Sequence, residues 1–151
     1  MATDIFNQLR KLNQLHAYST IQMHETIARK AGFSGTDHKY LGFLVQKGQM
    51  TAGELAVLTG LTTGAVTGLV DRFEKKKLVK RQFDKDDRRK VYIVPVVDNI
   101  MSLMEPLYKE YRGKMQELIA TYSGKDIKAI EQFLSSSIEI MNSIRDKHNN
   151  K

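Results

Sequence analysis

The chain has 151 residues, 24 Lys and Arg against 17 Asp and Glu, a formal net charge of +7, and no cysteine. The lack of cysteine excludes a disulfide framework, thiolate metal sites and thiol-based redox sensing within it. Charge is unevenly placed: ten cations and four acids fall between Arg72 and Lys90, and the remainder is nearly neutral. A basic surface gathered into one short segment is the electrostatic footprint of a polyanion binder, nucleic acid foremost. No basic start leads into an apolar run, and no apolar stretch approaches the roughly 18 residues a spanning helix needs. A soluble, cytoplasmic protein with no membrane partner is therefore expected. The length suits a single domain over residues 1–151, and two prolines with 41% hydrophobic residues favour a compact, mostly helical chain.

In chain order, Ile5, Leu9 and Leu12, then Ile21, Ile27 and Ala28, give the first thirty residues a helical period. Gly32 to Gly35 interrupts it. Thr36 is placed to cap a second helix with apolar positions Tyr40, Leu41, Leu44 and Val45, closing at Lys47-Gly48 where glycine favours a stop. Thr51-Ala52-Gly53-Glu54 has capping-box spacing, in which the Thr and Glu side chains each accept from the other's amide. It predicts a short helix carrying Leu55, Ala56 and Leu58. Thr59-Gly60-Leu61 has the length of a helix-turn-helix turn, and Thr62 is the expected cap of the next helix.

In that helix Val66, Leu69, Val70 and Phe73 fall at i, i+3, i+4 and i+7, a stripe to be buried. Gly64, Thr67, Gly68, Asp71, Arg72 and Lys75 then face outward. After Leu78-Val79 the period becomes two: Val79, Arg81 and Phe83 alternate with Lys80 and Gln82, and Val91 to Val94 is β-branched and aromatic. Two strands joined across a charged tip, Asp84 to Lys90, are expected. Beyond Pro95 come two more helical patterns. One runs from Met101 to Ile119, and the other comes after the cap-like Ser123-Gly124-Lys125-Asp126, with Ile127, Ile130, Phe133, Leu134, Ile138, Met141 and Ile144 on its apolar face.

A helix-turn-helix followed by a β-hairpin is the winged-helix layout, in which the second helix enters the major groove and the hairpin lies along the neighbouring minor groove. The expected fold class is mainly α with a small β-hairpin wing, joined to a dimerisation lobe built from the N- and C-terminal helices. Thr62, Thr63 and Thr67 offer hydroxyls to phosphates or base edges and methyl groups to thymine. Gly64 and Gly68 each lower helix propensity by about 1 kcal/mol relative to Ala, a cost explained if the backbone approaches DNA closely. Arg72 and Lys75 fall toward the phosphate rim, and Lys76, Lys77, Lys80 and Arg81 extend the positive surface.

At the tip, Asp84, Asp86 and Asp87 stand among Lys85, Arg88, Arg89 and Lys90. A purely electrostatic patch would omit those acids. Asp87 is therefore expected to hold the loop or orient an arginine, with Arg88 or Arg89 directed into a narrow minor groove and Lys90 alongside. The rival reading, ordinary solvated lysine-rich surface, does not account for two helix starts, an outward face and a charged hairpin in the correct order.

The run Leu61-Thr62-Thr63-Gly64-Ala65-Val66-Thr67-Gly68-Leu69-Val70-Asp71-Arg72-Phe73-Glu74-Lys75, then Leu78-Val79, then Asp84 with Asp87-Arg88-Arg89, resembles the recognition helix and wing of the MarR family of bacterial and archaeal transcription regulators. The D-x-R signature of that wing falls on Asp87 and Arg89. The resemblance implies a winged-helix homodimer that binds double-stranded, pseudo-palindromic operator DNA, usually as a repressor, often released by a small phenolic or anionic effector. It divides the chain into a DNA-binding lobe over 36–96 and a dimerisation lobe from 1–31 and 98–148. The sequence departs from the family pattern at three places. Lys77 stands where glycine is common at the end of the recognition helix. Lys85 replaces the usual loop proline. Pro95 and Val96 replace the leucine and threonine that usually close the second strand, which is expected to end early.

The first helix and the last two carry apolar stripes wider than so small a domain covers with its own wing. They predict a homodimer, whose two-fold axis presents two recognition helices to half-sites one DNA turn apart. His16, Tyr18, His24, Tyr40 and Tyr111 are candidates for an effector cleft, against the plainer reading that such residues belong to core or surface. A zinc-responsive regulator is an alternative. However, His16 and His24 are eight apart, His38 and His148 are isolated, and no His pair at i, i+4 occurs, so no metal is expected. No nucleophile-base order, phosphate loop or paired acids is found, so neither an enzyme nor a cofactor is expected. A winged-helix module that binds protein is the last alternative, and it has no need of so many cations around its outward helix face.

Overall fold

The computed structural model describes residues 1–149. The chain divides into two compact units, Met1–Tyr108 and Lys109–Lys151. The first holds α1 (Ala2–Lys30), α2 (Gly35–Lys47), β1 (Met50–Thr51), α3 (Ala52–Thr59), α4 (Thr63–Lys75), β2 (Val79–Phe83), β3 (Val91–Pro95) and the start of α5 (Val97–Ala120). The second holds the rest of α5 and α6 (Gly124–Asn149).

Helix starts obey side-chain chemistry, with one shift. Ser34, not Thr36, caps α2: its Oγ accepts from the Asp37 amide at 3.1 Å. The break after α1 closes sooner than expected because Gly32, at φ +84, turns the chain and lets the Phe33 amide donate back to the Ala28 carbonyl. The capping box of α3 forms as spaced, Thr51 N–H to Glu54 Oε2 at 2.8 Å and Glu54 N–H to Thr51 Oγ1 at 3.1 Å. Gly60, at φ +71, ends α3 in the left-handed conformation that glycine adopts without penalty. Thr62 then caps α4 by accepting from Ala65 N–H. The α3 and α4 axes bend by 108°, within the range of a helix-turn-helix pair.

The predicted stripe on α4 is the centre of the core. Val66, Leu69, Val70 and Phe73 are buried together with Phe33, Leu41, Leu44, Leu55, Val79, Ile93 and Ile100. Phe73 meets Phe33 edge to face, ring centroids 5.9 Å apart. Burial on this scale is worth about 1.5–3 kcal/mol per large side chain, and it fixes which face of α4 is left to solvent.

The hairpin belongs to a three-stranded antiparallel sheet in the order β1-β3-β2. The two-residue β1 has no periodic signal of its own and adds Met50 opposite Ile93 and Thr51 opposite Tyr92. Strand β3 runs on to Pro95, opposite Val79, and the Val96 amide continues the ladder by donating to the Leu78 carbonyl at 2.8 Å. The strand itself thus ends at Pro95, one residue short of Val96 as expected, with that single bond reaching beyond it. Ladder bonds alternate along an antiparallel pair, so at Pro95 the missing N–H falls on the side facing away from β2, beyond the reach of β1.

Helix α4 closes with a Schellman motif. The Leu78 amide donates to the Phe73 carbonyl and the Lys77 amide to the Glu74 carbonyl, each at 2.9 Å. The left-handed position of this motif is Lys77, at φ +58, and Asn99 Nδ2 donates to its carbonyl at 2.8 Å. A lysine there carries the steric cost that glycine avoids. Lys77→Gly is expected to raise unfolding stability by about 1 kcal/mol, seen as a higher denaturant midpoint at an unchanged slope.

Large apolar side chains remain on the surface of the terminal helices. Ile5, Leu9, Leu12 and Leu15 of α1 are exposed, as are Phe133, Leu134, Ile138, Met141 and Ile144 of α6. No residue of α6 is buried.

Candidate nucleic-acid interface

With one face of α4 packed inward, Thr62, Thr63, Gly64, Thr67, Arg72 and Lys75 lie exposed and Gly68 half-buried on the other. Thr62 Oγ1 is engaged as the cap, and Thr67 Oγ1 donates back to the Thr63 carbonyl at 3.0 Å. That bond sets the Thr67 hydroxyl while the residue stays exposed. A Cβ added to Gly64 would meet no atom within 4 Å, so nothing inside the chain requires glycine there. At Gly68 an added Cβ would lie 3.6 Å from Arg72 Nη1.

Two of the predicted cations are held by carboxylates. Arg72 donates through Nε and Nη2 to the two oxygens of Asp37, at 2.9 and 3.0 Å. Asp37 is 9% exposed, the single buried charged residue among those described. Arg81, on β2, donates through Nη2 to Asp71 and through Nη1 to Glu74, so both carboxylates of α4 grip the wing strand. Charge-assisted hydrogen bonding raises both guanidinium pKa values, through Asp37 for Arg72 and chiefly Asp71 for Arg81. These arginines tie α4 to α2 and to the wing. Lys76 is also placed, its ammonium 4.7 Å from the centre of the Phe33 ring.

The remaining cations are exposed to solvent, Arg89 at ion-pair distance from Asp87. Lys75, Lys80, Arg88, Arg89 and Lys90 are all exposed, and the Arg89 side chain keeps 95% of its surface. The acids at the tip account for its shape. Asp84 Oδ1 accepts from the Asp86 and Asp87 amides, an Asx turn that stands in for the absent proline at Lys85. Those two bonds, to Asp86 first, hold the Asp84 carboxyl below the ordinary carboxylate range. Asp87 Oδ1 accepts from the Arg89 amide at 3.0 Å, and its carbonyl accepts from Lys90 N–H. Asp87 thus holds the loop through the backbone, with the Arg89 guanidinium 3.7 Å from its carboxylate.

Of the five side chains expected near an effector cleft, one enters a cavity in the first unit. His24 lines, with Ile21, Glu25, Thr36, His38 and Lys39, a cleft of about 460 Å³ between α1 and α2. Tyr40 is core, His16 and Tyr18 are exposed on α1, and Tyr111 lies in the second unit. Two residues that sequence alone does not point to complete the cluster. The Tyr108 hydroxyl sits between His24 Nδ1 and His38 Nε2, and the two imidazoles stack at 5.6 Å. Burial, and then the neighbouring His24, hold the His38 pKa below its usual value. Among the described residues no group of three His, Asp or Glu is placed to hold a metal ion.

Asp37 likewise gives no local signal in the sequence, since its partner is 35 residues away. The role of Asp84, by contrast, is written in the Asp84-Lys85-Asp86-Asp87 spacing of an Asx turn.

A helix-turn-helix whose second helix is backed by a clamped, cationic wing defines a winged helix-turn-helix regulator of transcription. Comparison with known proteins agrees. The MarR family model matches residues 31–90. The HTH-type transcriptional regulator YcgE of Bacillus subtilis is 37% identical over 122 residues, 81% of this chain and 79% of that one. The chain belongs to the MarR family. In fold it is similar to a MarR family protein from Bacillus stearothermophilus, with a TM-score of 0.73 at 23% identity, covering 94% of this chain and 99% of the other. It is also similar to a mutant of MepR from S. aureus bound to an oligodeoxyribonucleotide, with a TM-score of 0.60 at 20% identity over 88% and 97% of the two chains.

Proposed function

We propose that this regulator binds double-stranded, pseudo-palindromic operator DNA as a homodimer and represses transcription until a small phenolic or anionic molecule releases it. The observation that carries the reading is the outward face of α4. Gly64 has no internal reason to be glycine, Thr67 is exposed with its hydroxyl set, and exposed cations flank both on the helix end and the wing. On this reading Thr62, Thr63, Gly64, Thr67 and Gly68 meet the major groove. Lys75 and Lys80 neutralise phosphates, and Arg88, Arg89 and Lys90 reach the minor groove from a tip braced by Asp87. Arg72 and Arg81 serve the interface mainly by fixing α4 and the wing. The MepR structure with its oligodeoxyribonucleotide supports the same use of the fold. The exposed stripes on α1 and α6 supply the surface for a second copy. The cleft beside His24 and His38 has a volume suited to a small aromatic ligand.

Arg89→Ala tests the wing. Losing one groove-inserted arginine is expected to cost about 1–3 kcal/mol of operator affinity and to reduce the slope of log K against log salt by about 0.9 for each phosphate no longer neutralised. The oligomeric state should not change. Unaltered affinity at physiological salt would remove Arg89 from the interface.

A further inference from the structure

We infer that Asp37 is a positioning residue for operator binding, acting through Arg72; this rests on the proposed reading of α4 as the groove-entering helix. Arg72 lies on the outward face of α4, where a guanidinium with no internal partner would serve as one more phosphate contact. Instead, its Nε and Nη2 edge is taken by both oxygens of Asp37, at 2.9 and 3.0 Å. That two-point geometry fixes the plane of the guanidinium as well as its place, which a single-point ammonium does not.

The anchor is itself held. Asp37 belongs to the first turn of α2, its amide donating to Ser34 Oγ at 3.1 Å, and the residue is 9% exposed. The Arg72 side chain stays 56% exposed, so the fork is closed on the protein side and open on the other. Its free nitrogen, Nη1, lies beside Gly68, 3.6 Å from where a Cβ would stand. The pair therefore does two things. It ties α4 to α2 near the C-terminal end of the recognition helix, and it presents one aimed N–H edge over the small residue at position 68. Because Asp37 neutralises the guanidinium, the pair adds direction to binding and little net charge.

This separates the inference from its rivals. If Asp37 were only an acid near a basic surface, removing it would strengthen binding to every duplex alike. If it were only structural, removing it would lower the melting temperature and leave sequence preference intact. The test uses the full-length protein with two labelled probes. One is a duplex of about 30 base pairs, long enough for two half-sites a helical turn apart, selected from a random pool by the wild type. The other is an unselected duplex of the same length.

Asp37→Asn is expected to reduce the ratio of selected to unselected affinity about tenfold, in the range of one bidentate base contact removed. Its salt slope should steepen, by about 0.9 for each phosphate the released Arg72 newly neutralises. Arg72→Lys keeps the charge but not the fork and should lower the same ratio. Asp37→Glu, which keeps the two oxygens, should retain more of it than Asp37→Asn. The double variant should fall no further than either single change, the signature of one coupled unit. A ratio unchanged in Asp37→Asn overturns the inference, whatever Arg72→Lys does. Should Asp37→Asn not fold, an unchanged ratio in Arg72→Lys, at an exposed side chain, overturns it instead. A wild type that selects no duplex refutes the operator reading itself.

Discussion

Replacing Phe73 with alanine is expected to cost about 3–5 kcal/mol of folding stability, a large share of the roughly 5–15 kcal/mol that holds a domain folded. Phe73 is fully buried on α4, packs edge to face on Phe33 and supplies the carbonyl to which the Leu78 amide returns in the Schellman closure. Its removal opens a cavity between α4 and the α1–α2 turn. It also withdraws the apolar partner of Leu78, the contact that usually accompanies this helix ending. The loss is measured as the shift in denaturant midpoint. Operator binding by the fraction still folded should weaken as well, because Lys76 rests on Phe33 and Arg72 belongs to the same turn of helix. A loss below about 1 kcal/mol, the range of a site that collapses freely or lies at the surface, would show that Phe73 is not central to the core.

The second large effect concerns assembly. Ile138→Asp places a carboxylate in the middle of the exposed stripe of α6, where Phe133, Leu134, Met141 and Ile144 also face solvent. An isolated monomer accepts a charge there at little cost, Ile138 being 52% exposed, so its helicity by circular dichroism should be nearly unchanged. In a dimer that covers the stripe, the buried charge costs several kcal/mol, and sedimentation should show the mass of a single chain at micromolar concentration. Operator affinity should then fall by about 10²–10⁴-fold, since each recognition helix loses the tethering that makes the second half-site contact intramolecular. A wild type that sediments as a monomer, or a variant that remains dimeric and binds normally, would refute a dimer built on this face.

What could be read from sequence was set by distance along the chain. The Thr51 and Glu54 box, the Thr62 cap and the four-residue core stripe of α4 are patterns that close within seven residues, and the structure has each of them. The cap of α2 moved from Thr36 to Ser34 because both residues can cap, and the left-handed Gly32 decides where α1 stops. Strand β1 is two residues long and exists only by pairing with β3, so no periodicity could announce it. The candidate interface is legible in outline, as a basic segment with uncharged residues at its centre. Its internal assignments are not, because charge counts do not distinguish a cation facing solvent from one gripped by a carboxylate. Sequence alone therefore groups Arg72 and Arg81 with the open cations. His38, isolated in sequence, stands against Tyr108 from 70 residues away.

The double grip of Asp71 and Glu74 on Arg81 has a consequence for the DNA. Held through both carboxylates, β2 is joined to α4 at the base of the wing, which opposes a change in the separation of helix and wing. On the proposed mode of binding, a half-site whose minor groove is too wide or displaced must be bent or narrowed to fit. Base pairs that no side chain touches then enter the affinity through their stiffness.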